Sequence, residues 1–334
     1  MYLTKSDFKV ALTCPTKLYY KKLRYPSLLD ADPFLEFLAD GGYMVEKMAK
    51  LLFPEGIEMG DFADHESAFQ ATKERLREDD IVLFEPTVLA GNLLARVDIL
   101  VKTGNRIRLI EVKSSSVDTV EGGPNPFRGS KGAILAKWRP YLEDVAFQTL
   151  VFKRAFPELT IEPVLCVVDK AVTANDACTL DKFNLRKEGG RRTATDVLYS
   201  GDLALLKNDH VLAFCNVAGE VKELTPEIEV AADQLAATLT EDAPIRCEPK
   251  IGMHCKKCEY RTEPKSGPSG FAECWGALAN VKPHLFDFVR LDGLRPPGKG
   301  DPVSLLTSQG SASLLDVPDS WLSGAFESRL SSDN

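Results

Sequence analysis

Long apolar runs are missing from this chain of 334 residues, and none approaches the roughly 20 residues that a membrane-spanning helix needs. The opening MYLTKSDFKV is polar and amphipathic, without the apolar core and cleavage site of a secretory leader. Membrane insertion and secretion are not expected, and a cytoplasmic setting is. Positive charge is also short, with 41 Lys and Arg against 49 Asp and Glu, a net charge of −8 and a pI near 5.3. A generic nucleic-acid coat would be basic overall, so that class is excluded. An enzyme with an acidic centre and a local basic groove is not. The local basic runs are Lys17, Lys21, Lys22 and Arg24; Arg128, Lys131, Lys137 and Arg139; and Arg186, Lys187, Arg191 and Arg192. Each reads first as a solvated face. No internal repeat is evident.

What remains is the composition of an ordinary globular protein, 44% hydrophobic and 27% charged, long enough for one large domain or two smaller ones. Eight cysteines are unevenly spread, four of them between Cys247 and Cys274. Cys255-x2-Cys258 has the spacing at which two thiolates in a tight turn reach one ion or cluster. Cys274 follows after a Lys/Gly/Pro/Ser-rich loop, Cys247 precedes the pair, and His254 offers an imidazole. Clustered thiols in a chain without a secretion signal point to metal rather than a disulfide. Zinc on a wholly local quartet with Cys247, or a set that draws in Cys14, both fit that pattern. Cys166, Cys178 and Cys215 stand in separate segments and read as ordinary thiols.

The stretch Leu93 to Ser116, LLARVDILVKTGNRIRLIEVKSSS, carries the other chemistry. Two apolar-rich strands flank the turn Thr103-Gly104-Asn105-Arg106, so Lys102 should pair with Ile107 and Asp98 lie across from Glu111. Strand alternation puts Arg96, Asp98 and Leu100 on one face and sends Glu111 and Lys113 to the side of Asp98. Two carboxylates and a lysine then converge, a set suited to metal-assisted phosphodiester cleavage. Hard oxygen ligands hold Mg²⁺ or Mn²⁺, and a lysine ammonium stabilises phosphoryl charge. The Val112 carbonyl is a further candidate ligand. The bland alternative is a surface hairpin with a cross-strand ion pair. The β-branched and aliphatic neighbours in VDIL and LIEV argue instead for carboxylates that approach a core.

Around this hairpin the pattern is mixed α/β. Ser6 is the expected N-cap of a first helix that Cys14-Pro15 interrupts before TKLYYKKL resumes. A longer helix is expected over 33–53 with a bend at Gly41-Gly42, another over 65–77, and a strand over 81–89 containing Glu85, which reads first as an edge carboxylate and otherwise as an auxiliary acid at the cleft. Residues 114–131 read as a long functional loop, and KEGGRR at 187–192 as a turn. Pro140 suits the first turn of a helix to about Phe156, where Gln148 stands out on an apolar side. It is either a buried amide satisfied by backbone or a donor to phosphate or to a metal-bound water. A strand over 161–169, another in HVLAFCNV and a helix over 226–239 complete the series.

Together these features resemble the RecB-type nucleases of the PD-(D/E)xK superfamily, in the branch with an iron–sulfur cluster that includes the CRISPR-adaptation exonucleases and the AddB nuclease subunit. Leu12-Thr13-Cys14-Pro15 and Lys17-Leu18-Tyr19-Tyr20 match the N-terminal cysteine segment. Asp98, Glu111, Val112 and Lys113 match the catalytic core, Tyr141-Leu142-Glu143-Asp144 through Gln148 the glutamine-bearing helix, and Cys255, Cys258 and Cys274 the C-terminal ligands. The chain is also similar to uncharacterised bacterial proteins that add an RNase-H-like domain. The resemblance implies a restriction-endonuclease-like central sheet flanked by helices over 1–280, with a cysteine lobe from 1–30 and 245–280 and a tail at 281–334. It implies Asp98 and Glu111 as ligands of Mg²⁺ or Mn²⁺, with Lys113 and Gln148 assisting, and a [4Fe–4S] cluster on Cys14, Cys255, Cys258 and Cys274. DNA, as single strands or ends, is the implied substrate, with a helicase or a DNA-repair or defence system as partner. One departure is that Glu46 stands four residues after Gly42, where many of these nucleases carry a histidine metal ligand. The competing expectations are a catalytically weak nucleic-acid-binding module and a zinc-stabilised scaffold subunit.

Overall fold

The computed structural model describes residues 1–60, 62–119, 123–187, 195–263, 267–298 and 300–322. In chain order the strands are β1 (Leu3–Thr4), β2 (Ile57–Glu58), β3 (Asp80–Phe84), β4 (Thr87–Ala90), β5 (Leu93–Arg96), β6 (Ile99–Thr103), β7 (Arg106–Val117), β8 (Thr160–Asp169), β9 (Phe183–Lys187), β10 (Thr195–Tyr199) and β11 (Leu212–Asn216). The helices are α1 (Lys5–Thr13), α2 (Thr16–Lys22), α3 (Pro33–Leu51), α4 (His65–Arg75), α5 (Arg139–Ala155), α6 (Leu203–Asn208), α7 (Ala218–Ala236), α8 (Gly270–Trp275) and α9 (Pro302–Ser308). They form two compact units, one of Met1–Lys9 with Pro33–Glu241, the other of Val10–Asp32 with Asp242 onward. No helix among the described residues is long and apolar enough to cross a membrane.

The larger unit is α/β, built on a mixed six-stranded sheet in the order β11-β8-β7-β6-β3-β2. β6 and β7 form the expected hairpin, with Lys102 opposite Ile107 and a two-residue Gly104-Asn105 turn. Gly104 takes φ +56° there, which only glycine adopts without strain. β7 and β8 run parallel, so the chain must cross over between them, and α5 is that crossover. Strand alternation divides the sheet: Val82, Phe84, Ile99, Ile110, Val112, Val164 and Cys166 pack with Val45, Met48 and Ala49 of α3. Glu111 and Lys113 project from the opposite face, toward α5. Residues 144–152 of α5 are buried without interruption, as befits a helix enclosed on all sides.

Several expected boundaries move, each for a local reason. Thr4, not Ser6, caps α1, because its hydroxyl accepts the Asp7 N–H at 3.2 Å while the Asp7 carboxylate accepts the Thr4 N–H at 3.1 Å. The strand expected over 81–89 breaks between Phe84 and Thr87, where Glu85 takes φ +57° and Pro86 has no N–H to give. Its partner breaks at the same level, between Arg96 and Ile99. Glu85 N–H to Asp98 O and Val97 N–H to Pro86 O, both 3.2 Å, carry the ribbon through the break. Beyond it β4 and β5 pair with β1 in a separate three-stranded sheet. Asp98 therefore sits at a bend rather than within one continuous strand. β7 extends to Val117, past the expected loop start at Ser114, with an irregularity between Val112 and Ser116. α7 begins at Ala218 and holds Pro226 inside it, since Val221, Leu224, Ile228, Ala232 and Leu235 keep a helical apolar stripe across the proline. Of KEGGRR, only Lys187 falls among the described residues.

The smaller unit is helix and turn around Phe271, Trp275, Leu285, Phe286, Leu291, Leu294, Val303, Leu306 and Trp321. Residues 281–334 read as a tail in the sequence, but the segment from Val281 to Leu322 supplies much of this core. Its Ser, Pro and Gly content masks apolar residues spaced for short turns rather than for long helices or strands.

Candidate functional site

Asp98, Glu111, Lys113 and Gln148 come together in the larger unit. The bend aims Asp98 at β7, where its Oδ2 accepts the Val112 N–H at 2.7 Å. Glu111 is fully buried and its carboxylate accepts from three donors: Lys113 Nζ at 2.5 Å, Gln148 Nε2 at 2.6 Å, and Lys5 Nζ at 2.8 Å to each oxygen. Lys5 also lies 3.7 Å from Asp98 Oδ1. Gln148 is fully buried, and its Nε2 donates further to the Asp144 carbonyl at 3.3 Å. Among the described residues its Oε1 has no partner, although a buried acceptor left unpaired costs about 1–3 kcal/mol. Turning the amide over would set that oxygen against the Glu111 carboxylate, so the orientation follows from the network.

Two residues of this centre escaped the sequence reading. Asp144 receives Lys113 at 3.3 Å and Lys9 at 3.7 Å. It stands one helical turn before Gln148, and that spacing was a usable signal. Lys5 had none, because its neighbours in sequence say nothing of a carboxylate 106 positions away. Glu46, on α3, is engaged by Lys50 at 2.9 Å, which also reaches Glu58 at 3.5 Å and Glu85 at 3.8 Å. Its charge is felt at Asp98 and Glu85, but its bonded partner is Lys50. Val112 contributes its N–H to Asp98 and its side chain to the core on the α3 side.

The two carboxylates titrate far apart. Burial and the Glu111 charge push Asp98 up to about 7, against the pull of Lys5 and Lys113. Burial raises Glu111 too, but Lys5 and Lys113 outweigh it and hold Glu111 down at about 2. Glu85 is raised to about 8 by burial and by its acidic neighbours Asp98 and Glu46. Such separation marks centres that hold protons and cations in defined places. It also sets the pH response of the metal-free protein. Asp98, protonated in the fold, contributes stability that is complete below its unfolded pKa of 3.8 and is lost as pH rises through 7. Glu111 acts oppositely, and its contribution is lost only as pH falls below 4.5 toward 2. In EDTA, thermal stability should therefore decline from pH 5 to 7 by up to about 1.4 kcal/mol per unit from Asp98. Asp98→Asn should make that decline shallower, with Glu85 still contributing to what remains, and parallel profiles for the two proteins would contradict the assignment.

Cys14, Cys255, Cys258 and Cys274 come together in the smaller unit, lining one pocket with Lys17, Tyr20, His254, Phe271 and Trp275. Cys14 falls in the break between α1 and α2, Cys255 and Cys258 on a 3₁₀ turn, and Cys274 on α8. Tyr20 Oη lies 3.2 Å and Arg246 Nη2 3.6 Å from Cys274 Sγ, and Arg246 donates to Tyr20 Oη at 2.8 Å. Among the described residues, the lining of this pocket does not include Cys247, whose carbonyl accepts from Thr16 Oγ1 at 3.3 Å. No three His, Cys, Asp or Glu among the described residues are grouped to hold a single ion.

Three residues of the basic runs are held in ion pairs. Arg128 pairs with Glu220 and Glu223, Arg139 with Glu143 and Glu227, and Lys17 with Glu259. Arg191 and Arg192 lie outside the described residues. No known protein-family model matches this chain, and no curated protein is significantly similar to it.

Proposed function

We propose that this protein is a divalent-metal-dependent nuclease that hydrolyses phosphodiester bonds in DNA, acting on single strands or ends. The observation that carries the reading is the buried Glu111 carboxylate, set beside Asp98 and bonded by Lys113 and by a glutamine whose own oxygen is unpartnered. The β6–β7 hairpin, the α5 crossover and parallel β8 suit a restriction-endonuclease-like core. Asp98 and Glu111, with the Val112 backbone, would hold Mg²⁺ or Mn²⁺, which supplies Lewis acidity at the scissile phosphate. Lys113 places an ammonium beside that phosphate as negative charge develops on its oxygens. Gln148 anchors Glu111 through Nε2 and so fixes the carboxylate that would hold the ion. Cys14, Cys255, Cys258 and Cys274 would hold a [4Fe–4S] cluster that ties the two segments of the smaller unit together.

Gln148→Ala should lower turnover about tenfold or more with little change in DNA affinity, as for a group that acts on the reacting centre. Glu46→Ala should shift the Mn²⁺ requirement only if Glu46 moves from Lys50 to the metal; an unchanged titration leaves it as the partner of Lys50. The reading is tested on 5′- and 3′-labelled single- and double-stranded DNA, with RNA of the same sequence alongside. Metal-dependent DNA products are expected, and cleavage of none of these substrates contradicts the proposal.

A further inference from the structure

We infer that Lys5 is a displaceable internal counter-cation of the carboxylate centre, occupying the place of the divalent ion until the ion binds. The inference rests on the metal-dependent reading above and adds to it a competitor built into the chain. The Lys5 ammonium bonds both oxygens of Glu111 at 2.8 Å and stands 3.7 Å from Asp98 Oδ1, so it bridges the two carboxylates as a shared metal would. Lys113 does not duplicate this arrangement, because its second carboxylate is Asp144, at 3.3 Å.

The backbone around Lys5 is fixed by strand pairing and helix capping, and its side chain is held only through the ammonium. Leu3 pairs with Leu93 in β1–β5 and donates to the Asn92 carbonyl at 2.7 Å, and the Thr4–Asp7 capping box sets the first turn of α1. Lys5 is the first residue of that helix, where the dipole disfavours a cation. The carboxylates therefore hold the ammonium in place against the helix. Its side chain is 23% exposed, so the four-carbon stem has an open side toward which to turn. With Asp98 and Glu111 holding a divalent ion, their charge would be satisfied and the Lys5 ammonium would lose its counter-charge there. The other carboxylate that acts on Lys5, Asp144, is already engaged by Lys9 and Lys113, so the released ammonium would turn to the phosphate of a bound substrate and join Lys113 there. Metal binding and release of Lys5 are thus one coupled exchange, weakening metal affinity while supplying a second cation for the loaded complex.

Opposite signs in two measurements test this. Mn²⁺ affinity is read from the electron paramagnetic resonance of free Mn²⁺, and cleavage from labelled single-stranded DNA at saturating Mn²⁺. Lys5→Met, which keeps the stem and removes the charge, should bind Mn²⁺ about tenfold tighter or more and cleave about tenfold slower or more. Lys5→Gln should show the same pair of changes, which guards against a folding defect in one variant. A purely structural role for Lys5 would lower both quantities together, and that result, or an unchanged Mn²⁺ affinity, overturns the inference. Asp98→Asn with Glu111→Gln tests the centre separately. If that double variant binds Mn²⁺ as tightly as wild type, the metal site itself is misplaced and the inference falls with it. If the double variant loses Mn²⁺ while Lys5→Met leaves affinity unchanged, only the inference fails.

Discussion

Asp98→Ala and Lys113→Ala should each reduce DNA cleavage by about 10²–10³-fold or more while the protein remains folded and keeps the colour expected of its proposed cluster. The magnitude follows from removing a charge that acts in the transition state within a dry centre. Both residues have structural partners, but their losses differ in kind. Asp98→Ala strips the Val112 N–H of its acceptor, and Lys113→Ala leaves Glu111 with Lys5 and Gln148 still bonded. A shared loss of cleavage with unaltered circular dichroism therefore reports chemistry. Cleavage at the wild-type rate in both variants would remove the site assignment.

The second large effect is expected at the cysteines. Cys14→Ser should give a colourless and poorly soluble protein, whereas Cys247→Ser should remain brown with iron bound. Cys14 brings the Val10–Asp32 segment to a pocket whose other thiols all come from beyond Asp242, so a group bound there closes a loop of most of the chain. Metal bound only by the folded state stabilises that state directly, and a long closed loop adds to the effect. The thiol of Cys247 is raised by burial and by the nearby Cys14, but Cys247 is not among the described lining residues. The opposite pattern, with metal lost in Cys247→Ser and kept in Cys14→Ser, would make the quartet local. Zinc in place of iron in the purified protein would remove the cluster reading.

How much of this was legible in the sequence depended on distance along the chain. The β6–β7 hairpin and its Lys102–Ile107 pairing could be read, because a two-residue turn with glycine sets the register locally. Glu111 and Lys113 shared a face for the same reason, since strand periodicity is a local rule. The bend at Asp98 could not be read as such, because VDIL looks like uninterrupted strand. The break arises from Glu85 and Pro86 on the neighbouring strand, whose backbone meets Asp98 only in the fold. Lys5 is hidden by its separation from Glu111, and Pro226 hides the start of α7, because a proline inside a helix looks in sequence like a first turn. Residues 281–322 lacked the long periodic runs that announce a core, and their packing depends on Phe271 and Trp275.

The central claim is that the Asp98–Glu111–Lys113 centre cleaves phosphodiester bonds only with a divalent cation. It is tested most directly by purifying the protein without oxygen, stripping free metal with EDTA, and following end-labelled single-stranded DNA as Mn²⁺ or Mg²⁺ is restored. No cleavage in EDTA and recovery on adding Mn²⁺, with recovery absent in Lys113→Ala, is the predicted result. Cleavage that persists in EDTA, or that returns equally in Lys113→Ala, would contradict it.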